Sequence, residues 1–215
     1  MIYPSILTDS IDIAQQQLDL VAGKVEVVQL DFIDGAFADE ITLTPLEAVA
    51  LNFGNLRVDL HMQTNDPIEE INEATALSSV LRTVVAQVER MPSQRAFVDA
   101  IKKSGWKVGL SLDLFTPVDA IEDGIWKDLD VVQVMAVQAG KQGQAFQQQA
   151  LKTITEVREQ LKVRGLHAEL VVDGGINPET AAQCLKAGAD SLAVGSDLWT
   201  AEHPSEALLS LQQLK

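Results

Sequence analysis

Eight short apolar runs recur along this 215-residue chain, and each is followed by a stretch that opens like a helix. The runs lie at residues 2–7, 25–30, 56–60, 80–86, 108–112, 131–134, 168–172 and 191–194. They are β-branched or leucine-rich and continuous rather than alternating, which suits strands buried on both faces of a parallel sheet. Six of the seven prolines mark the openings: Pro45, Pro67, Pro92, Pro117, Pro178 and Pro204. Four of them follow a capping residue, Thr44, Asp66, Thr116 or Asn177. Proline is tolerated at the first helical position because its missing N–H would have no partner there. Their spacings are 22, 25, 25, 61 and 26 residues, so the long gap holds one further unit. Its helix is expected to start near Gln144, with Phe146, Ala150, Ile154, Val157 and Leu161 on one face. Another helix is expected after Asp9-Ser10, with Ile11, Ala14, Leu18 and Val21 at helical spacing.

Eight strand-then-helix units in this length predict an α/β fold, a TIM (β/α)8 barrel forming one domain over residues 1–215. The competing architecture, a doubly wound open sheet, usually carries G-x-G-x-x-G after its first strand. Here the first run is followed by Thr8-Asp9-Ser10, without glycine. The formal charge of −15 argues against nucleic acid and anionic membrane surfaces as partners. No apolar stretch approaches the roughly 20 residues that span a bilayer. Met1-Ile2-Tyr3-Pro4-Ser5 has neither the basic segment nor the long apolar core of a secretory signal, so a cytoplasmic location is expected. Cys184 is the only cysteine, which rules out an intrachain disulfide and fits a reducing compartment. Its neighbours Ala181, Ala182 and Leu185 suggest a packed helix face rather than a reactive thiol.

In such a barrel the active site lies at the C-terminal ends of the strands. That rule selects Ser5, Asp31, His61, Gln87 with Glu89, Asp113, Met135, Asp173 and Gly195-Ser196, from the first strand to the eighth. Asp31 and Asp173 each end a buried run, and a converging pair of carboxylates can remove a proton from one side of a carbon and return it on the other. Gln29 lies two residues before Asp31 and so points to the same side of its strand. Backbone N–H groups at Gly174, Gly175, Gly195 and Ser196 can hold a phosphate even in an acidic protein. Ser5 is a hydroxyl that orients substrate, because no His-Asp pattern supports a nucleophile. Asp34 with Gly35 is the expected turn former, and His167 and His203 fall outside the site.

Six segments occur in order, each at an expected strand end or the loop after it: Pro4-Ser5-Ile6-Leu7, Leu30-Asp31-Phe32-Ile33-Asp34-Gly35, Ile41-Thr42-Leu43-Thr44-Pro45, Asp59-Leu60-His61-Met62, Val172-Asp173-Gly174-Gly175 and Val194-Gly195-Ser196. With them the chain resembles the ribulose-phosphate 3-epimerase family over nearly its full length. The resemblance implies interconversion of ribulose 5-phosphate and xylulose 5-phosphate at C3. Asp31 and Asp173 would be the acid/base pair, and a divalent metal (Zn, Fe, Mn or Co) would stabilise the enediolate between the two proton transfers. Asp31, His61 and Asp173 match three of the family's metal ligands, and Gln29 stands where the family has a second histidine. A glutamine oxygen is a weak, uncharged donor for zinc. A further family histidine aligns with Gln87, and a family methionine with Gln63. The family's Pro-Gly-Phe-Gly-Gly-Gln loop reads Ala139-Gly140-Lys141-Gln142-Gly143-Gln144 here. Substrate contacts are therefore expected from Ser5, His61, Gly140, Gly143, Gly174, Gly175, Gly195 and Ser196, with a small phosphorylated sugar as the partner. Barrels of this type often associate, so a homo-oligomer is compatible with the resemblance. The alternative is a non-catalytic sugar-phosphate-binding barrel that has lost the metal site. Decarboxylases of related shape carry Asp-x-Lys-x-x-Asp, whereas Asp31-Phe32-Ile33-Asp34 has no lysine.

Overall fold

Residue parity decides which way each strand faces. In the computed structural model, which describes residues 1–214, the odd-numbered Tyr3, Val27, Val85, Val131, Val171 and Ala193 pack together as one inner cluster. Their even-numbered neighbours, among them Val28, Leu60, Val84, Val132, Leu170 and Leu192, belong to a larger cluster shared with the helices. A period of two places alternate side chains on opposite faces. Both faces are buried, so the runs read as continuous rather than alternating.

The strands are β1 (Ile2–Ile6), β2 (Val27–Ile33), β3 (Arg57–Gln63), β4 (Leu81–Gln87), β5 (Lys107–Leu112), β6 (Val131–Met135), β7 (Glu169–Asp173) and β8 (Ser191–Val194). They pair in parallel, each with its sequence neighbours, and β8 closes onto β1. This is the expected eight-stranded barrel. Between them run α1 (Ile11–Val21), α2 (Ile71–Ala74), α3 (Gln94–Ser104), α4 (Ala150–Arg164), α5 (Pro178–Ala187), α6 (Ser196–Trp199) and α7 (Pro204–Gln212). The long helices bury one stripe each against the barrel. Phe97, Val98 and Ile101 of α3, for example, are fully buried, each worth about 1.5–3 kcal/mol of transfer free energy.

The proline junctions need correction. Pro178 and Pro204 do occupy the first helical turn, and Asn177 forms a capping box with Thr180. Pro92 instead precedes the cap, Ser93, whose hydroxyl accepts from Ala96 N. After Pro45, Pro67 and Pro117 no full helix forms. The chain makes 3-10 turns at Glu47–Ala50, Thr75–Leu77, Val118–Ala120 and Trp126–Asp128, plus the single turn of α2. Thr44 and Glu47 cap each other, Thr44 N donating to Glu47 Oε2 at 2.9 Å and Glu47 N to Thr44 Oγ1 at 3.2 Å. Gly54 and Gly124 then interrupt two of these stretches, and glycine inside a helix costs about 1 kcal/mol relative to alanine. The sixth unit's helix starts at Ala150 rather than near Gln144. The preceding segment is held over the barrel mouth, with Gln147 N donating to Ala136 O at 2.9 Å.

At the N-terminal end of the barrel Arg82 pairs with buried Asp59, its Nε 2.8 Å from Asp59 Oδ1. The same guanidinium lies 5.0 Å over the Tyr3 ring. No described helix is long and apolar enough to cross a membrane.

Candidate active site

Ser5, Gln29, Asp31, His61, Gln63, Gln87, Gln133 and Asp173 are odd-numbered, inward-facing and buried near the C-terminal ends of their strands. Strand register aligns them. Ser5 lies opposite Gln29, Asp31 opposite His61, and Met135 opposite Asp173. His61 Nδ1 sits 2.7 Å from Asp31 Oδ1 and 3.6 Å from Asp173 Oδ2. Ser5 Oγ donates to Asp31 Oδ2 at 2.5 Å. Gln29 Nε2 donates to both carboxylates, at 3.1 Å to Asp31 Oδ1 and 2.6 Å to Asp173 Oδ2. Thr42 fixes the strand beneath, donating to Asp31 O at 2.7 Å and accepting from Ile33 N at 3.0 Å. Trp199 Nε1 donates to Ser5 O at 2.6 Å.

Burial sets the electrostatics. Asp173 is pushed up to about 7, first by burial and then by the charge of Asp31, although His61 and the Gln29 hydrogen bond pull it down. Burial alone would lower the pKa of His61. The hydrogen bond and charge of Asp31, with Asp173 and Glu89 adding, outweigh that and raise it. Shifts of this kind, caused by desolvation plus specific charged partners, concentrate at functional sites.

The expected site residues do not all converge. Asp113 turns aside, its carboxylate accepting from Leu114 N and Ala139 N, each at 2.8 Å. Glu89 Oε1 accepts from Asp113 N at 2.8 Å, so this pair braces a loop. Asp34 is the turn former, accepting from Ala36 N and Phe37 N. Gly140, Gly143, Gly174, Gly175, Gly195 and Ser196 line the mouth together with Ser5, Asp31, Met135 and Asp173. The Gly140 N–H, however, is engaged by Gln63 Oε1 at 2.6 Å. Gln144 closes its own loop, donating to Gln138 O and Lys141 O. His167 lies at the opposite end of the barrel, beside Met1 and Glu169, and His203 sits at the start of α7.

Gln133 was not anticipated. Its Nε2 lies 3.2 Å from His61 Nδ1 and 3.3 Å from Asp173 Oδ2. A signal was available: glutamine interrupts the apolar run Val131-Val132-Gln133-Val134-Met135 at an inward position, as Gln29 and Gln87 do in theirs. Gln87 Nε2 is 3.0 Å from His61 Nε2. Four amides thus surround one imidazole and two carboxylates.

A model of the ribulose-phosphate 3 epimerase family matches residues 1–199. The chain belongs to the ribulose-phosphate 3-epimerase family. Ribulose-phosphate 3-epimerase of Bacillus subtilis (strain 168) is 32% identical over 215 residues, covering 99% of this chain and 98% of that protein. The chloroplastic ribulose-5-phosphate-3-epimerase of Arabidopsis thaliana is 29% identical, covering 100% of this chain and 77% of that protein. Among solved structures, orotidine 5'-phosphate decarboxylase from Pyrococcus horikoshii OT3 superposes with a TM-score of 0.67 at 15% identity, covering 98% of this chain and 97% of that one. At that identity the likeness concerns the barrel alone.

The donor set suits a divalent cation. Asp31, His61 and Asp173 each offer a ligand atom within 4.8 Å of the others, all three buried. Two carboxylates so placed concentrate negative charge that only one imidazole offsets. Gln29 presents its nitrogen to them, which makes it a brace in this arrangement; a half-turn of the amide would offer its oxygen instead.

Proposed function

We propose that the chain is a ketose-phosphate 3-epimerase acting on ribulose 5-phosphate and xylulose 5-phosphate, with Asp31 and Asp173 as the acid/base pair. The observation that carries this is the convergence of two buried carboxylates, from β2 and β7, on one histidine at the barrel mouth. One carboxylate takes the C3 proton and the other delivers a proton to the opposite face. Ser5 and Gln29 hold Asp31 in position, and Gln29 also holds Asp173. In the metal-free protein burial and the Asp31 charge push Asp173 up to about 7, and a bound cation would favour its anion, the form that accepts a proton. A divalent cation (Zn, Fe, Mn or Co) held by Asp31, His61 and Asp173 would supply positive charge where the ketone oxygen becomes anionic. Gly174, Gly175, Gly195 and Ser196, lining the same mouth, are the groups proposed to receive the phosphate, with Gly143. The reading includes one ribulose-phosphate-binding barrel over residues 1–215, and a reducing cytoplasm as its compartment, supported by the single, buried Cys184.

The test is conversion of one pentulose phosphate to the other by purified protein supplemented in turn with each cation. We expect turnover with at least one cation and its loss by 1000-fold or more in Asp31→Asn, on the scale of removing a general acid/base together with its metal contact (~10²–10⁴ for the proton transfer alone). No turnover with any cation overturns the reading. The second reading, a non-catalytic sugar-phosphate-binding barrel, is favoured by the amides at 29, 63, 87 and 133. It predicts binding of the sugar phosphate without conversion.

A further inference from the structure

Gln63 occupies an unusual junction. It ends β3 two residues beyond His61 and is buried. Its Oε1 accepts from Gly140 N at 2.6 Å. Its Nε2 lies 3.3 Å from Asp31 Oδ1 and 3.4 Å from His61 Nδ1. Both ends of the amide are engaged, one by the loop between β6 and α4 and the other by the carboxylate cluster. A side chain that only filled space would leave no reason for a buried amide, since an unsatisfied one costs about 1–3 kcal/mol.

Gly140 is clamped from outside as well. Its φ is +100°, and a Cβ there would lie 2.2 Å from the Ala38 Cβ, so the segment after β2 presses directly on it. That segment is held in turn by Arg90, which lies 5.5 Å over the Phe37 ring and donates to Ala36 O at 3.3 Å. The loop and the carboxylates line one cleft at the barrel mouth, Gly140 and Gln63 together with Asp31 and Asp173. Any outward movement of the loop separates Gly140 from Gln63.

We propose that Gln63 is a positioning residue that latches the β6–α4 loop to Asp31, so that holding the loop over the mouth and fixing the carboxylate are one event. The catalytic part of this rests on the epimerase reading; the latch itself does not. A loop held in place before substrate arrives costs nothing to order on binding, and without the latch each binding event must order it.

The experiment compares wild type with Gln63→Met and Gln63→Glu. Glutamate keeps an acceptor for Gly140 N; methionine fills the space without one. Amide exchange at Gly140, read by NMR or by mass spectrometry of peptides spanning residues 138–144, is expected to be about 2- to 12-fold faster in Gln63→Met, the weight of one hydrogen bond. The acceleration should be smaller in Gln63→Glu, which keeps the acceptor for Gly140 N although its other oxygen faces Asp31. Equal exchange in all three proteins, or equal acceleration in both variants, overturns the latch. In turnover, Gln63→Met is expected to raise KM by a similar factor and to lower kcat. A purely structural role would reduce the active fraction and leave KM unchanged, and that result would overturn the positioning role. The exchange measurement needs no turnover, so it decides the latch even if the epimerase reading falls.

Discussion

Asp173 keeps its proton to about pH 7 because burial and the Asp31 charge both disfavour its anion. The consequence for stability has a definite sign. The unfolded chain releases this proton near 3.8, the folded chain near 7. Between those values the folded state binds more protons, so metal-free stability falls as pH rises through that window. The contribution is absent below about pH 4 and complete above about pH 7. Asp173→Asn removes the ionisation while leaving an oxygen to accept from Gln29. Urea unfolding of metal-free protein is expected to show the variant more stable than wild type at pH 8, by about 1–3 kcal/mol, with the difference shrinking at pH 5. An unchanged difference across that range would contradict the assignment. The same residue that destabilises the free protein is the one proposed to move a proton.

Among the elements, strands were far more legible than helices. Buried β-branched runs leave little else for a chain to do, and each observed strand overlaps its expected run. The carboxylates and His61 were legible for the same reason, since strand ends carry them. The proline junctions misled where Thr44 and Asp66 cap only a turn and no side chain caps the turn after Pro117: a cap starts a helix, but a sustained buried stripe is needed to continue it. The loop from Ala139 to Gln149 was unreadable because its conformation comes from distant partners, Asp113, Gln63 and Gly175, that no local pattern reveals. Gly175 shows how tight that docking is. At φ +63° it approaches Phe146 so closely that a Cβ would lie 2.4 Å from Phe146 N. Gly175→Ala is therefore expected to displace this loop, raising KM at least tenfold while the far-ultraviolet circular dichroism of the barrel is retained. Wild-type KM in that variant would show that the loop does not form the binding wall.

At the scale of the whole molecule the barrel separates stability from chemistry. The N-terminal end carries Arg82, Asp59, Glu169 and Tyr3 in one ionic cluster, and Glu169 helps hold the Tyr3 hydroxyl's pKa at about 12, after burial. Arg82→Met strands buried Asp59 without its partner, a loss on the order of 3 kcal/mol. Thermal unfolding should register it, whereas KM should not move, because the proposed substrate mouth lies at the other end; a changed KM would contradict that separation. The mouth holds two buried carboxylates, from β2 and β7, proposed to act on the two faces of one carbon, and the most direct measurement addresses them together. Each pentulose phosphate is incubated in D2O with wild type, Asp31→Asn and Asp173→Asn, and deuterium at C3 is followed by NMR. Two-carboxylate chemistry predicts that wild type converts both epimers with solvent deuterium in the product, while each variant converts neither and exchanges at most one epimer, a different one for each variant. Conversion surviving in either variant, or no exchange in wild type with any divalent cation, would contradict the account.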